Sequence, residues 1–196
     1  MMGLTNGTAY NFTVTASNAV GAGAASAPSG SITPATFPDP PTNVIATPGN
    51  GQASVTWLAP ANTGGSPITG YTVTSTPGSF MATTTGATTA TVLGLTNGTP
   101  YTFTATAANA MGTGSPSTAS SAVTPTPLPG APTNVSATPG DQKATVYWTA
   151  PNANGSPISS YSITPYVNGV AQSALVTTAT ASPGTVLGLT NGPKYT

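Results

Sequence analysis

The sequence contains no cysteine, histidine, arginine or glutamate, and its charged residues are Asp39, Asp141, Lys143 and Lys194. Charged residues make up about a quarter of an average soluble domain. The lack of cysteine excludes disulfides and thiol chemistry, and with histidine also missing the usual zinc sites are excluded. A net charge of zero offers nucleic acid no electrostatic attraction. No run of about 20 apolar residues is present, so we expect no membrane insertion.

Acid–base catalysis has few candidate residues in this chain. Such catalysis usually uses histidine, a carboxylate or lysine close to a partner group. The two carboxylates, Asp39 and Asp141, fall in different copies of a sequence repeat, and no histidine is available to activate a hydroxyl. A calcium site requires several clustered oxygen ligands. We therefore predict a non-enzymatic chain with no catalytic, metal-binding or cofactor-binding residues and no cofactor.

The sequence does contain a long internal repeat. Gly-Leu-Thr-Asn-Gly begins at Gly3, Gly94 and Gly188, and each copy is followed by a tyrosine: Tyr10, Tyr101 and Tyr195. Trp57 and Trp148 are 91 residues apart, and Pro-Thr-Asn-Val recurs at the same spacing. A period near 91 is too long for a solenoid repeat and has the size of a whole small domain. Each repeat is therefore expected to fold around a core of its own.

The phase of the repeat predicts three modules. Residues 37–126 form a complete copy, residues 1–36 the last two strands of a preceding one, and residues 127–196 the first part of a third, truncated at its tyrosine. We interpret the chain as a fragment of a repeat array, encoded by a gene fragment or read from an internal start codon. Met1-Met2-Gly3-Leu4 has none of the features of a signal peptide.

The complete copy consists of short alternating segments separated by Gly, Pro and Asn. Apolar residues alternate with threonine or serine in each segment, and the longest alternation runs from Tyr101 to Ala107. A period of two, with β-branched residues outside, is typical of half-buried strands. About seven such strands in about 90 residues predict an all-β, immunoglobulin-like sandwich of two sheets, repeated in tandem.

Several positions of the complete copy carry a family resemblance. They are the Pro40-Pro41 entry, Trp57 followed by Pro60, Tyr71-x-Val73, and Leu95 six residues before Tyr101. The third copy repeats the later marks at Trp148, Pro151, Tyr161-x-Ile163, Leu189 and Tyr195, and its entry keeps Pro132 with Gly130-Ala131 in place of one proline. This set resembles the fibronectin type III family in its bacterial tandem form. The resemblance implies a sandwich whose tyrosine corner anchors the crossover between sheets, and it implies little about function.

Candidate binding residues are few. The loop that carries the adhesive Arg-Gly-Asp motif in that family corresponds here to the uncharged residues 109–114. Glycosylation acceptor patterns occur at Asn6, Asn11, Asn97 and Asn134, for which turn and strand roles are favoured. Tyr147 and Tyr166 have no counterpart in the predicted core. We place them on second and third strands of opposite sheets, where they would not form one sugar-binding platform.

These observations favour a structural role. We predict non-catalytic extracellular spacer modules that display or separate domains of a larger secreted or cell-surface protein. The alternative is an adhesive or polysaccharide-binding accessory module, for example of a secreted glycoside hydrolase. The expected partners are other domains of the same chain and cell-wall or extracellular polysaccharide or protein. The incomplete terminal modules also predict head-to-tail self-association by strand addition, with residues 8–34 as the donated hairpin.

Overall fold

The computed structural model describes residues 3–196, which form antiparallel β-structure without an α-helix. The chain divides into two compact units, Met1–Pro125 and Thr126–Thr196. Among the described residues the helical structure is a short 3-10 turn at Ser173–Leu175. No helix in this part of the chain has the length and apolarity that a membrane crossing requires.

The first unit contains a two-sheet sandwich. Its strands are β1 (Thr42–Pro48), β2 (Gln52–Leu58), β3 (Gly70–Thr76), β4 (Met81–Thr84), β5 (Thr89–Leu93), β6 (Thr102–Asn109) and β7 (Gly112–Thr113). One sheet has the order β1-β2-β5 and the other the order β4-β3-β6-β7. The prediction of an all-β, immunoglobulin-like sandwich is confirmed.

The core of the sandwich follows from the alternation in the sequence. Every second residue of β2 and β6 points inward, so that Val55, Phe103 and Ala105 have no exposed surface. Threonine is the commonest residue at the intervening positions, which are exposed in β2 and partly exposed in β6. Tyr71 packs at a ring-centroid distance of 5.4 Å from Trp57, and burial raises the pKa of Tyr71. Removal of these apolar side chains from water is the main stabilising contribution to such a fold.

The segment after β7 is not the regular last strand that the sequence predicts. At every third residue its N–H groups bond to β6, through Gly114, Ser117 and Ser120, and then to Tyr101 just before β6, through Val123. The hydroxyls of Ser117 and Ser120 accept hydrogen bonds from the N–H groups of Ala105 and Phe103, at 2.9 and 3.1 Å. Serine hydroxyls therefore accept the hydrogen bonds that main-chain carbonyls accept in a regular ladder. This lets the segment after β7, which has a bulge at each serine, pair with the regular strand β6.

Residues 3–34 of the first unit form a hairpin with the same hydrogen bonds. Tyr10 and Ile32 bond to each other as Tyr101 and Val123 do. The other main-chain bonds of the two hairpins also correspond at a spacing of 91 residues: Gly7 to Pro34, Gly23 to Ala16, Ser26 to Val14 and Ser29 to Phe12, against Gly98 to Pro125, Gly114 to Ala107, Ser117 to Ala105 and Ser120 to Phe103. The hairpin therefore has its full internal geometry.

The second unit repeats the first half of the sandwich. Its strands are β8 (Thr133–Gly140), β9 (Lys143–Thr149), β10 (Tyr161–Ile163), β11 (Tyr166–Val167), β12 (Val170–Ala171), β13 (Thr177–Ala179) and β14 (Gly184–Leu187). The sheet β14-β9-β8 matches β5-β2-β1, and β10 pairs with β13 as β3 pairs with β4. Between β10 and β14 the extra residues form the hairpin β11–β12. Its turn residues Asn168 and Gly169 both have positive φ, as a tight two-residue turn requires.

Candidate functional site at the module junction

The repeated tyrosine holds the same corner in all three copies. The phenol oxygens of Tyr10, Tyr101 and Tyr195 accept hydrogen bonds from the main-chain N–H five residues earlier, at 3.0, 3.1 and 3.0 Å. In the first copy this bond from Thr5 lowers the pKa of Tyr10. The Gly-Leu-Thr-Asn-Gly repeat is therefore a structural turn closed by its tyrosine.

The first unit also contains a junction between the hairpin and the sandwich. The loop between β2 and β3 reaches the segment that connects them. The N–H of Thr36 donates to the carbonyl of Gly64 at 2.8 Å, and the N–H of Asp39 donates to the carbonyl of Asn62 at 3.1 Å. These main-chain bonds fix the connecting segment against the sandwich.

Asn109, at the end of β6, joins three parts of this junction. Its amide nitrogen donates to the carbonyl of Thr36 at 2.7 Å and to the carbonyl of Thr63 at 2.8 Å. Its amide oxygen accepts from the N–H of Met111 at 2.8 Å. The side chain is 5% exposed, so its hydrogen-bonding groups are satisfied by protein. A single buried amide thus ties the connecting segment, the β2–β3 loop and the β6–β7 turn together.

Two glycines allow the backbones to approach closely at this junction. A Cβ on Gly64 would lie 2.7 Å from the carbonyl oxygen of Phe37, and one on Gly65 would lie 2.8 Å from the carbonyl carbon of Asn6. Both glycines have positive φ, +76° and +84°, a region that residues with a side chain enter at a cost. The backbone of the β2–β3 loop therefore packs directly against the backbone of the hairpin and of the connecting segment.

The second unit has a related contact with the segment before its own sandwich. The amide nitrogen of Asn154 donates to the carbonyl of Leu128 at 2.7 Å. Asn154 and Gly155 are both at positive φ, as are Gly64 and Gly65. The loop between the second and third strands of the module thus holds the preceding segment in both units.

The charged residues do not assemble into a site within either unit. Asp39 lies in the connecting segment of the first unit, where its N–H takes part in the junction. Asp141 lies in the β8–β9 turn of the second unit, where its carboxylate accepts a hydrogen bond of 2.8 Å from the amide of Asn191. No group of three metal-ligating side chains occurs among residues 3–196.

The asparagines in the glycosylation patterns include two with structural roles. The amide of Asn97 accepts from the N–H of Gly51 at 2.9 Å and donates to Asn50 at 2.8 Å. Asn134 has a φ of 52° and donates to the hydroxyl of Thr149. Asn191 repeats the role of Asn97 on the β8–β9 turn. In the second and third copies of the Gly-Leu-Thr-Asn-Gly repeat, the asparagine therefore joins one turn to another by hydrogen bonds.

The two tyrosines outside the predicted core are partly exposed. Tyr147 lies on β9 and is 42% exposed, and Tyr166 is 40% exposed. The prediction that Tyr166 lies on the third strand was wrong. The third strand, β10, ends at Ile163, and Tyr166 begins the hairpin β11–β12. Its main chain pairs with Thr196 by two hydrogen bonds, at 2.8 and 2.9 Å.

A cleft of about 650 Å³ opens between the strands of the second unit. Its lining is mostly apolar and includes Val146, Trp148, Tyr161, Ile163, Val186 and Leu189. These residues correspond to Val55, Trp57, Tyr71, Val73, Val92 and Leu95, which are all buried in the first sandwich. The cleft is thus the core position that β6 fills in the first unit.

Sequence reasoning missed the junction and the serine-based bulges. Asn18 and Asn109 share one register of the repeat, and Ser26 and Ser29 share that of Ser117 and Ser120. The recurrence of these polar residues beside apolar strands could therefore have indicated a structural role for them from the sequence. The acceptors of the Asn109 amide are main-chain carbonyls, which no sequence pattern identifies.

Comparison with known proteins agrees with this architecture. Residues 39–123 match the fibronectin type III domain family. Chitinase A1 of Niallia circulans is 37% identical over 177 residues, a match that covers 82% of this chain and 24% of the chitinase. The chain thus spans about a quarter of that relative's length. The crystal structure of the chicken CNTN1 FN1–FN3 domains has a TM-score of 0.60 at 21% identity, covering 97% of this chain and 69% of the other, and shows a likeness of fold.

Proposed function

The chain belongs to the fibronectin type III family as a tandem of its modules, and from this premise we propose that it is a non-catalytic extracellular spacer. In this role it separates or displays other domains of a larger secreted or cell-surface protein. We propose the module limits 1–36, 37–126 and 127–196. The proposal includes no catalytic, metal-binding or cofactor-binding residue, consistent with the scarcity of ionisable side chains.

The junction around Asn109 carries this proposal. Domains of one chain move relative to each other by default unless the contacts between them prevent it. A spacer therefore keeps a fixed separation only when its modules are held at their connections. Here the connecting segment is held by main-chain bonds at Thr36 and Asp39 and by the buried amide of Asn109. The Gly64–Gly65 approach adds close backbone packing. These contacts favour a stiff connection over a flexible linker.

Replacing Asn109 with alanine is expected to loosen the junction. The carbonyls of Thr36 and Thr63 would lose their donor, which costs about 1–3 kcal/mol where water replaces it poorly. Spin labels on cysteines introduced at the exposed Thr13 and Thr89 report the distance between hairpin and sandwich. The distance distribution should broaden in Asn109→Ala.

Asn18→Ala is the matched control. Asn18 occupies the same register of the repeat, and its amide oxygen accepts from the N–H groups of Val20 and Gly21, as Asn109 accepts from Met111. The control therefore removes the turn bond without removing a junction bond. An Asn109→Ala distribution as narrow as that of Asn18→Ala would contradict the stiff spacer.

The similarity to Chitinase A1 favours a second candidate function, that of an accessory module which contacts polysaccharide for a secreted glycoside hydrolase. The partly exposed ring of Tyr147 offers an apolar face on the β14-β9-β8 sheet. Aromatic rings supply much of the contact area in binding surfaces.

Sedimentation of the 196-residue chain with insoluble chitin tests this candidate. Retention that falls severalfold in Tyr147→Ala would favour the accessory module over the spacer. The matched control is Tyr166→Ala, because this tyrosine is similarly exposed but lies on β11. A chain that stays in the supernatant at every chitin concentration excludes chitin binding and leaves the spacer proposal in place.

A further inference from the structure

The chain contains six asparagine–glycine pairs. In such a pair the glycine nitrogen can attack the side-chain carbonyl carbon of the asparagine, and glycine, which has no Cβ, leaves this approach open. Since all the pairs share one dipeptide sequence, the fold around each pair decides which of them reacts. The pairs are Asn6-Gly7, Asn50-Gly51, Asn97-Gly98, Asn154-Gly155, Asn168-Gly169 and Asn191-Gly192.

In three of the pairs a hydrogen bond holds the glycine nitrogen. The N–H groups of Gly7 and Gly98 each donate to a proline carbonyl at 2.9 Å. The N–H of Gly51 donates to the side-chain oxygen of Asn97, also at 2.9 Å. Attack on the asparagine requires the nitrogen to leave this acceptor first. We therefore expect these pairs to react slowly.

In two further pairs hydrogen bonds hold the asparagine amide. The Asn191 amide accepts from the N–H of Gln142 at 3.0 Å and donates to the carboxylate of Asp141 at 2.8 Å. The Asn154 amide donates to the carbonyl of Leu128 at 2.7 Å. An amide fixed in this way does not turn its carbonyl carbon toward the following nitrogen. These bonds therefore protect both asparagines.

The remaining pair, Asn168-Gly169, forms the tip of the β11–β12 hairpin, where both residues are exposed. Among residues 3–196, no hydrogen bond holds the Asn168 amide or the Gly169 nitrogen. A Cβ on Gly169 would meet no atom within 4 Å, so the turn has open space in which to rearrange. Each strand of the hairpin has two residues, and so short a hairpin opens easily.

From this difference we propose that Asn168-Gly169 is a self-modification site, at which the chain deamidates with water as the co-reactant. The Gly169 nitrogen loses its proton and attacks Cγ of Asn168, so that an N–Cγ bond forms and the Cγ–Nδ2 bond breaks. The amide nitrogen leaves as ammonia, which carries the displaced proton. Water then opens the cyclic imide at either carbonyl and gives aspartate or isoaspartate. No oxidant or reductant takes part.

The modification changes both the charge and the turn. The chain has a formal net charge of zero, and the new carboxylate makes it negative at neutral pH. Isoaspartate also lengthens the main chain of a turn whose two residues, Asn168 and Gly169, have φ of 50° and 79°. This should weaken the β11–β12 pairing. The hairpin has no counterpart in the first sandwich, so the change is specific to the second unit.

Incubation in water enriched in heavy oxygen tests the proposal, because each event leaves one heavy oxygen in the product. The whole chain is incubated folded at mildly alkaline pH, with a parallel sample in enough urea to unfold it. Fragmentation mass spectrometry then locates the label. In the folded chain Asn168 should convert about tenfold faster or more than each other pair, because their bonds must open first. In urea the rates should converge.

The variant Asn97→Ala tests whether the hydrogen bonds protect. It removes the acceptor of the Gly51 N–H and the donor to the Asn50 amide. Asn50 should then convert about tenfold faster than in the parent chain, while Asn168 keeps its rate. Asn6 is the internal control, because it lies in the same unit and its pair is held by a different bond. Its rate should not change.

Two results would overturn the proposal. If Asn168 converts no faster than Asn97 or Asn191 in the folded chain, the fold does not select this pair. If Asn50 keeps its parent rate in Asn97→Ala, the hydrogen bonds do not protect the other pairs. Both measurements use the chain alone, so their outcome is independent of the spacer and accessory-module proposals.

Discussion

Replacing Phe103 with alanine should lower the free energy of unfolding of the first sandwich by about 3–5 kcal/mol. Phe103 has no exposed surface and lies in the continuous core formed with Val55, Val73 and Tyr101. Its removal deletes apolar contacts and leaves a cavity that neighbouring strands fill poorly, because both sheets are fixed by their pairing. The loss is large compared with the usual net stability of a domain of this size.

Phe12→Ala is the matched control for this substitution. Phe12 stands in the same register of the repeat, in a hairpin with the same hydrogen bonds, but it is partly exposed and outside the core cluster. The sandwich should lose less than about 0.5 kcal/mol, as is usual for surface substitutions. The comparison separates burial from residue type and strand position.

Hydrogen exchange measured residue by residue gives both effects at a concentration where the chain is monomeric. The main-chain N–H groups of β3 and β6 report global opening of the sandwich. Phe103→Ala should accelerate their exchange by at least two powers of ten, while Phe12→Ala leaves them nearly unchanged. Similar acceleration in both variants would mean that the hairpin contributes to the same cooperative core.

The alternating strands were predictable because their causes are local. A period of two with threonine on one side determines which residues of β2 and β6 face the core. The recurrence of Trp57 at Trp148 then predicts the same sheet in the second unit, as β14-β9-β8 confirms. Local alternation and repetition thus indicate the sandwich and its tandem arrangement.

The bulged segment and the junction have causes that alternation does not reveal. The bulges at Ser117 and Ser120 follow from hydroxyls that accept main-chain hydrogen bonds. The Asn109 amide acts on carbonyls 73 and 46 residues away in sequence. Tyr166 was misplaced because a β11–β12 hairpin interrupts the expected strand. In each case a side chain or an insertion changes the main-chain pairing that the apolar pattern alone suggests.

Gly65→Ala should open the junction between hairpin and sandwich. The new Cβ would lie 2.8 Å from the carbonyl carbon of Asn6, which is backbone and cannot rotate away. Alanine at the φ of +84° adds about 1–2 kcal/mol of strain, and overpacking adds about 1–3 kcal/mol. Relief of the clash requires the hairpin to move off the β2–β3 loop. The Thr36 N–H would then lose its bond to Gly64.

Gly98→Ala is the control because it isolates the strain. Gly98 has the same φ, +84°, but a Cβ there would meet no atom within 4 Å. Both variants should lose stability through strain, whereas the N–H groups of Thr36 and Asp39 should exchange about tenfold faster or more in Gly65→Ala alone. Unchanged protection in Gly65→Ala would mean that the junction accommodates a methyl group. Close backbone packing would then have no part in stiffening the connection, and that function would fall to Asn109.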